Sequence, residues 1–337
     1  MHGCHRSQRN LLLITFFMFI LGSFSKLDLA RAAEMPTFEA HDLVVQMPYG
    51  ADHVYAEIAR GTPGKGTFVF VNGLVYDLKR WDPLSQELLN LGYTVIRFAL
   101  IGQPESLRLG PQDQDPKFFS TGLALSDFDL ELNRVLQEFG ADKTKIQLVG
   151  LSYGASVAVD FALHNADQVA NLILIAPLVV PLETYQPVGR SLRFWLDSVR
   201  SWEDGPCDLY GAINPLLCLQ RDYWYNSFYD YFYQNYLSER IAKIPDGISE
   251  SVFKRAVFYM VRAARNFDLK LLAPSLNNVH FILAENEETP LLADQREAYS
   301  LVPQAEQKSL TVIKGASHAI PDSNPSECAQ ALSDIAQ

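Results

Sequence analysis

Residues 145–165 read KIQLVGLSYGASVAVDFALHN. The first five, Lys145–Val149, form a short apolar run of the kind that makes a buried strand. The last eleven, Ala155–Asn165, are rich in alanine and carry no internal Gly or Pro, which suits a helix. Between them stands Gly150-Leu151-Ser152-Tyr153-Gly154. By itself that pentapeptide is weak evidence, because a chain this long matches it by accident roughly one time in ten. Its place between an apolar strand and a helix gives it physical meaning. A sharp strand-to-helix turn exposes the central hydroxyl, and small residues two positions to either side let the strained backbone pack. The same turn aims the positive end of the helix dipole at any negative charge that develops there. Ser152 is therefore the candidate nucleophile.

Working outward, strand-like runs alternate with helix-like ones. His41–Met47 and His53–Arg60 read as a hairpin turning at Pro48-Tyr49-Gly50, and Thr67–Val71 as a compact strand ending at Asn72-Gly73. Pro83–Leu91 is a helix stopped by Gly92, Tyr93–Phe98 a strand, and Leu123–Phe139 a helix stopped by Gly140. Val169–Ala176, Val279–Ala284 and Leu310–Ile313 are further strands, and Pro325–Ala336 closes with a helix. Strands apolar along their whole length and separated by helices predict a mostly parallel sheet covered on both faces. The pattern lapses over residues 181–273, which read as mostly helical and are crowded with aromatics such as Trp195, Trp202, Trp224 and Tyr233. This stretch is expected to be a cap inserted after the sixth strand, over a core made of residues 33–180 and 274–337.

The N-terminus reads differently. Arg6 and Arg9 precede an apolar run from Leu11 to Phe24, and Ala30-Arg31-Ala32 has the small-x-small form of a cleavage site. Residues 1–32 thus read as a secretory signal peptide, with an apolar core shorter than the roughly 20 residues of a membrane span. The expectation is an exported protein, periplasmic or secreted, with no stable membrane span after cleavage. The formal charge of −11 argues against a nucleic-acid partner, which needs a basic surface. In an oxidising compartment Cys207 and Cys218 can close a small disulfide loop, the alternative being two free thiols. Cys328 is then left over, in the C-terminal helix. No cysteine or histidine spacing has metal-ligand form, so neither metal nor cofactor is expected.

From about residue 41 onward, with the cap least similar, the sequence resembles the α/β-hydrolase superfamily. Asn72-Gly73-Leu74 resembles the family's His-Gly-x oxyanion loop, and Gly102-Gln103-Pro104-Glu105-Ser106 its Gly-x-Gly-x-Ser loop. Gly150–Gly154 matches the nucleophile elbow and Gly315-Ala316-Ser317-His318 the histidine loop. The resemblance implies an eight-stranded α/β-hydrolase core, with His318 as the base for Ser152 and the backbone N–H groups of Leu74 and Tyr153 as the oxyanion hole. Asn72 replaces the usual His but leaves the backbone donor intact; Pro104 replaces the second Gly. The family's acid follows the seventh strand, where this chain has Ala284-Glu285-Asn286-Glu287-Glu288-Thr289-Pro290 and no Asp. Counting three residues from Ala284 selects Glu287, with Glu288 and Glu285 still open.

A serine at the elbow implies acyl transfer or hydrolysis, since relatives that open epoxides or displace halides use an aspartate there. The expected activity is an ester hydrolase acting on a small-molecule substrate with an apolar group, because aromatic caps line apolar pockets. An amidase, thioesterase or peptidase shares the same triad. A binding protein that retained only the fold is the reading from another class.

Overall fold

A computed structural model describes residues 36–110, 115–181, 246–287, 291–303 and 307–337. Thr37–Gln337 forms one compact unit, whose organisation follows from its apolar strands. Eight of them make one sheet: β1 (Glu39–Met47), β2 (Gly50–Ala59), β3 (Thr67–Val71), β4 (Thr94–Phe98), β5 (Ile146–Leu151), β6 (Val169–Ile175), β7 (Val279–Ala284) and β8 (Lys308–Ile313). The spatial order is β1-β2-β4-β3-β5-β6-β7-β8. The β1–β2 and β2–β4 pairs are antiparallel and all later pairs are parallel.

The side-chain period of two sorts the sheet's residues onto two faces. Val69 and Val71 of β3 and Leu148 of β5 enter one apolar cluster, whereas Phe68, Phe70, Val149 and Leu151 enter the other. Helices cover both faces, which is why the strands read as unbroken apolar runs. Helix α1 (Asp82–Asn90) and a C-terminal helix cover the face bearing Phe68 and Phe70. Helix α2 (Leu125–Phe139) and helix α3 (Tyr153–His164) cover the other. Helix α4 (Glu250–Ala263) begins at Ser249, whose Oγ accepts from Val252 N, and buries Phe253, Val257 and Met260 in the same cluster as α2 and α3. Helix α5 (Leu292–Leu301) follows β7, and α6 (Pro325–Ile335) is the C-terminal helix. Cys328 lies buried in α6 as a free thiol, its pKa pushed up by burial.

The expected eight-stranded, mostly parallel sheet with flanking helices is therefore present, and every strand read from the sequence is found. The largest shift is at β2, which starts at Gly50 rather than His53. Of the expected cap, residues 246–273 pack against the core; Trp195 to Tyr236, with Cys207 and Cys218, lie outside the described residues. So does the N-terminal segment read as a signal peptide. Among the described residues no helix is long and apolar enough to cross a membrane.

The topology makes a site almost unavoidable. From β3 the chain goes to β4 on one side, then crosses to β5 on the other. Diverging connections leave a crevice at the carboxyl ends of β3 and β5, where open α/β sheets bind ligands.

Candidate active site

Ser152 sits at that switch point, between β5 and α3. Its backbone has φ 53° and ψ −113°, a strained conformation for a residue with a Cβ. Three hydrogen bonds hold it there. Ser152 N donates to Ile175 O at 3.0 Å, while Ser152 O accepts from Ala155 N and Leu178 N, both at 3.0 Å. The flanking glycines are required by close approach. A Cβ on Gly150 would lie 2.5 Å from Gly154 O, and one on Gly154 would lie 2.2 Å from Val71 O. The turn thus leaves Ser152 half-buried. Tyr153 is the first residue of α3, so its N–H lacks an intrahelical acceptor. Its hydroxyl donates to Met260 O at 2.7 Å, which ties α4 to the elbow.

His318 lies in the loop after β8, and Glu287 three residues beyond the end of β7. Because β5, β7 and β8 run parallel, both loops leave the sheet at the same edge as the elbow. His318 Nδ1 and Glu287 Oε2 are 2.7 Å apart, and the Glu287 side chain is wholly out of contact with solvent. A carboxylate can only accept, so this contact places the ring proton on Nδ1 and leaves Nε2 as the basic nitrogen. Glu285 is engaged elsewhere: its Oε2 accepts from Gly315 N at 2.9 Å, and Glu285 N donates to Ile313 O. Asn286 N donates to Ala316 O at 3.0 Å, so the loops carrying Glu287 and His318 are joined by backbone bonds just before the pair. Glu288 lies outside the described residues.

The other described histidines have different surroundings. His280 bridges Ser309 Oγ (2.8 Å) and Asn171 Oδ1 (3.2 Å), and burial lowers its pKa. His164 Nδ1 is 3.0 Å from Asp129 Oδ2, with Asp160 alongside. These three could share a metal ion by reach, but His164 ends α3, the far end of the helix that Ser152 precedes. His41 and His53 meet carboxylates on the β1–β2 hairpin.

Leu74 follows β3 and is nearly buried. The loop that carries it is fastened by side chains whose part could not be read from the sequence. Asn72 is fully buried; its Nδ2 donates to Tyr76 O and to Gln103 Oε1, both at 3.2 Å, and its Oδ1 accepts from Trp81 Nε1 at 2.6 Å. Gln103, after β4, reaches across to Gly73 O and Leu74 O. The signal available for Gln103 was only its place in a glycine-led loop. Ser106 in that loop donates to Ala99 O and accepts from Tyr55 N. Ile101 N donates to Glu131 Oε2 at 2.9 Å, and the burial of Glu131 holds its pKa well above the usual carboxylate range.

No curated protein sequence matches the chain at a significant level. Solved structures do. A membrane phospholipase A described as a bacterial virulence factor is 16% identical, with 97% of each chain covered and a TM-score of 0.56. A thermophilic esterase from Thermogutta terrifontis is 20% identical over 88% of this chain and 97% of its own, with a TM-score of 0.60. A thioesterase domain from the curacin biosynthetic pathway is 16% identical over 88% and 99%, with a TM-score of 0.57. At these identities the likeness concerns the fold. Residues 68–331 match the model of the alpha/beta hydrolase family, a span that holds every strand from β4 onward together with the elbow, Glu287 and His318. The chain belongs to the α/β-hydrolase family.

Proposed function

We propose that the protein is an exported serine hydrolase that cleaves the ester bond of a small or apolar substrate through an acyl-enzyme. The observation that carries this reading is the buried His318–Glu287 pair, standing at the same sheet edge as a serine held in a strained turn. A surface histidine loop would have no reason to bury a carboxylate behind its ring, since burying a charge is costly unless the partner uses it.

The chemistry follows from those groups. Ser152 Oγ attacks the acyl carbon as His318 Nε2 takes its proton. The carbonyl oxygen becomes an oxyanion, received by the N–H groups of Leu74 and Tyr153 at the positive end of α3. The tetrahedral species collapses, the ester C–O bond breaks, and His318 returns its proton to the departing alcohol. Water then repeats the sequence on the acyl-serine, releasing the acid and restoring Ser152. Glu287 holds the ring in the Nδ1–H tautomer and stabilises the imidazolium formed in both halves. The aromatic-rich stretch that follows β6 supports an apolar group on the substrate. Export rests on the form of residues 1–32.

The test is hydrolysis by the mature protein of matched butyryl oxygen esters, thioesters and anilides. The reading expects oxygen esters to give the highest kcat/KM, with longer acyl chains preferred over acetyl. Equal or better turnover of the anilide would assign the protein to amide chemistry instead.

A further inference from the structure

The oxyanion hole proposed above has two donors of unequal origin. Tyr153 N–H is set by the start of α3, but Leu74 lies in an irregular loop, where a peptide plane can rotate. In a trans peptide the carbonyl of one residue and the N–H of the next point in opposite directions. Whatever holds Gly73 O therefore sets the direction of Leu74 N–H.

Gln103 holds it. Its Nε2 donates to Gly73 O at 2.7 Å and more weakly to Leu74 O at 3.4 Å. Its Oε1 accepts from Leu100 N at 2.9 Å and from Asn72 Nδ2 at 3.2 Å. The amide orientation is unambiguous, because Leu100 N can only donate and Gly73 O can only accept. Gln103 N donates in turn to Leu100 O at 2.8 Å. Gln103 is 1% exposed, so no bulk water competes for these groups. Trp81 fixes Asn72, which fixes the acceptor side of the same amide. The result is a rigid bridge from the end of β4 to the loop after β3. Leu74 N–H is turned away from it and makes no hydrogen bond among the described residues.

We infer that Gln103 is a positioning residue for catalysis: by binding Gly73 O it presents Leu74 N–H to the oxyanion, without touching substrate itself. This rests on the serine-hydrolase reading. Without the bridge only the longer bond from Tyr76 N holds Gly73 O, so the Gly73–Leu74 peptide is less tightly fixed and the donor is aligned for only part of the time. The ground-state carbonyl gains little from that donor, so the loss falls on kcat and leaves KM nearly unchanged.

Two variants test it, with active sites titrated by fluorophosphonate so that misfolded protein is not counted. Gln103→Met retains the length and removes both polar atoms. Turnover of p-nitrophenyl butyrate per active site is expected to fall about 10- to 100-fold, with KM within about threefold, as for partial loss of one oxyanion donor. The Ki of a trifluoromethyl ketone, whose serine hemiketal carries an oxyanion, should rise by the same factor. Gln103→Glu retains the acceptor for Leu100 N, and only its protonated form can donate to Gly73 O. Its activity relative to wild type is therefore expected to be highest at pH 5.5 and to decline toward pH 8.5. Gln103→Met turnover per active site within twofold of wild type would overturn the inference. If Gln103→Met does not fold, Gln103→Asn, whose shorter side chain cannot reach Gly73 O, would do so by turning over within twofold of wild type per active site. A wild type that neither takes the label nor cleaves the ester would instead overturn the hydrolase reading, and the inference with it.

Discussion

Three carboxylates compete for one role after β7, and their surroundings separate two of them. Glu285 is exposed and spends an oxygen on Gly315 N. Glu287 is buried and 2.7 Å from His318 Nδ1. Glu287→Gln should therefore lower kcat by about 10³–10⁴-fold, because the amide can present its donor to Nδ1 and favour the wrong tautomer. Glu285→Gln should stay within about tenfold, since an amide oxygen still accepts from Gly315 N. Steady-state kinetics on one ester compares them; equal losses would mean the acid has been misassigned. The sequence reached Glu287 only by counting from Ala284, because three nearby glutamates have the same chemistry and differ only in burial. The bridge through Asn72, Trp81 and Gln103 was less legible still. It joins residues up to 31 positions apart by side-chain contacts that leave no periodic trace.

At the level of elements, the elbow shows why its pentapeptide pattern matters. The Gly154 Cα approaches the end of β3 so closely that a methyl group would meet Val71 O at 2.2 Å and Asn72 O at 2.5 Å. Both obstacles are backbone, which cannot step aside as a side chain can. Gly154→Ala should cost about 3 kcal/mol or more in denaturant unfolding, and the folded remainder should lose activity because Asn72 begins the proposed oxyanion loop. A cost under about 1 kcal/mol would show that β3 and α3 can separate without penalty. The strands were legible because parallel strands buried on both faces are apolar throughout, as in Val169–Ile175. The helix ends were less so. Helix α3 begins at Tyr153, two residues before the alanine-rich run that announced it, because the elbow's strained turn at Ser152, and not helix propensity, fixes its start.

Across the whole molecule, charge is buried unevenly, and this bears on stability. Arg97, nearly inaccessible, pairs with Glu57 and Asp82 and donates to Leu78 O, joining β2, β4 and the start of α1. Among the described residues Asp129 has no such cation. Burial, with Asp160 alongside, raises its pKa from 3.8 to about 6, against the smaller opposing effect of His164. The folded state thus binds this proton more tightly than the unfolded chain. The associated stability is fully present below about pH 4 and is lost as the pH rises through 6. Asp129→Asn should accordingly raise the melting temperature at pH 7.5 by about 1–2 °C, the partial exposure of the pair keeping the effect small. At pH 4 the variant and wild type should melt together. A variant that melts lower at pH 7.5 would mean the His164 contact outweighs the desolvation.

Acyl transfer at this site requires Ser152 to be an activated nucleophile. The most direct measurement is fluorophosphonate labelling of purified protein lacking residues 1–32 beside Ser152→Ala and His318→Ala, each shown to be folded by circular dichroism. Covalent labelling of the wild type, abolished in Ser152→Ala and reduced at least about a hundredfold in rate in His318→Ala, is the predicted result. A folded wild type that takes no label would contradict the account and leave the α/β-hydrolase fold serving to bind a ligand instead.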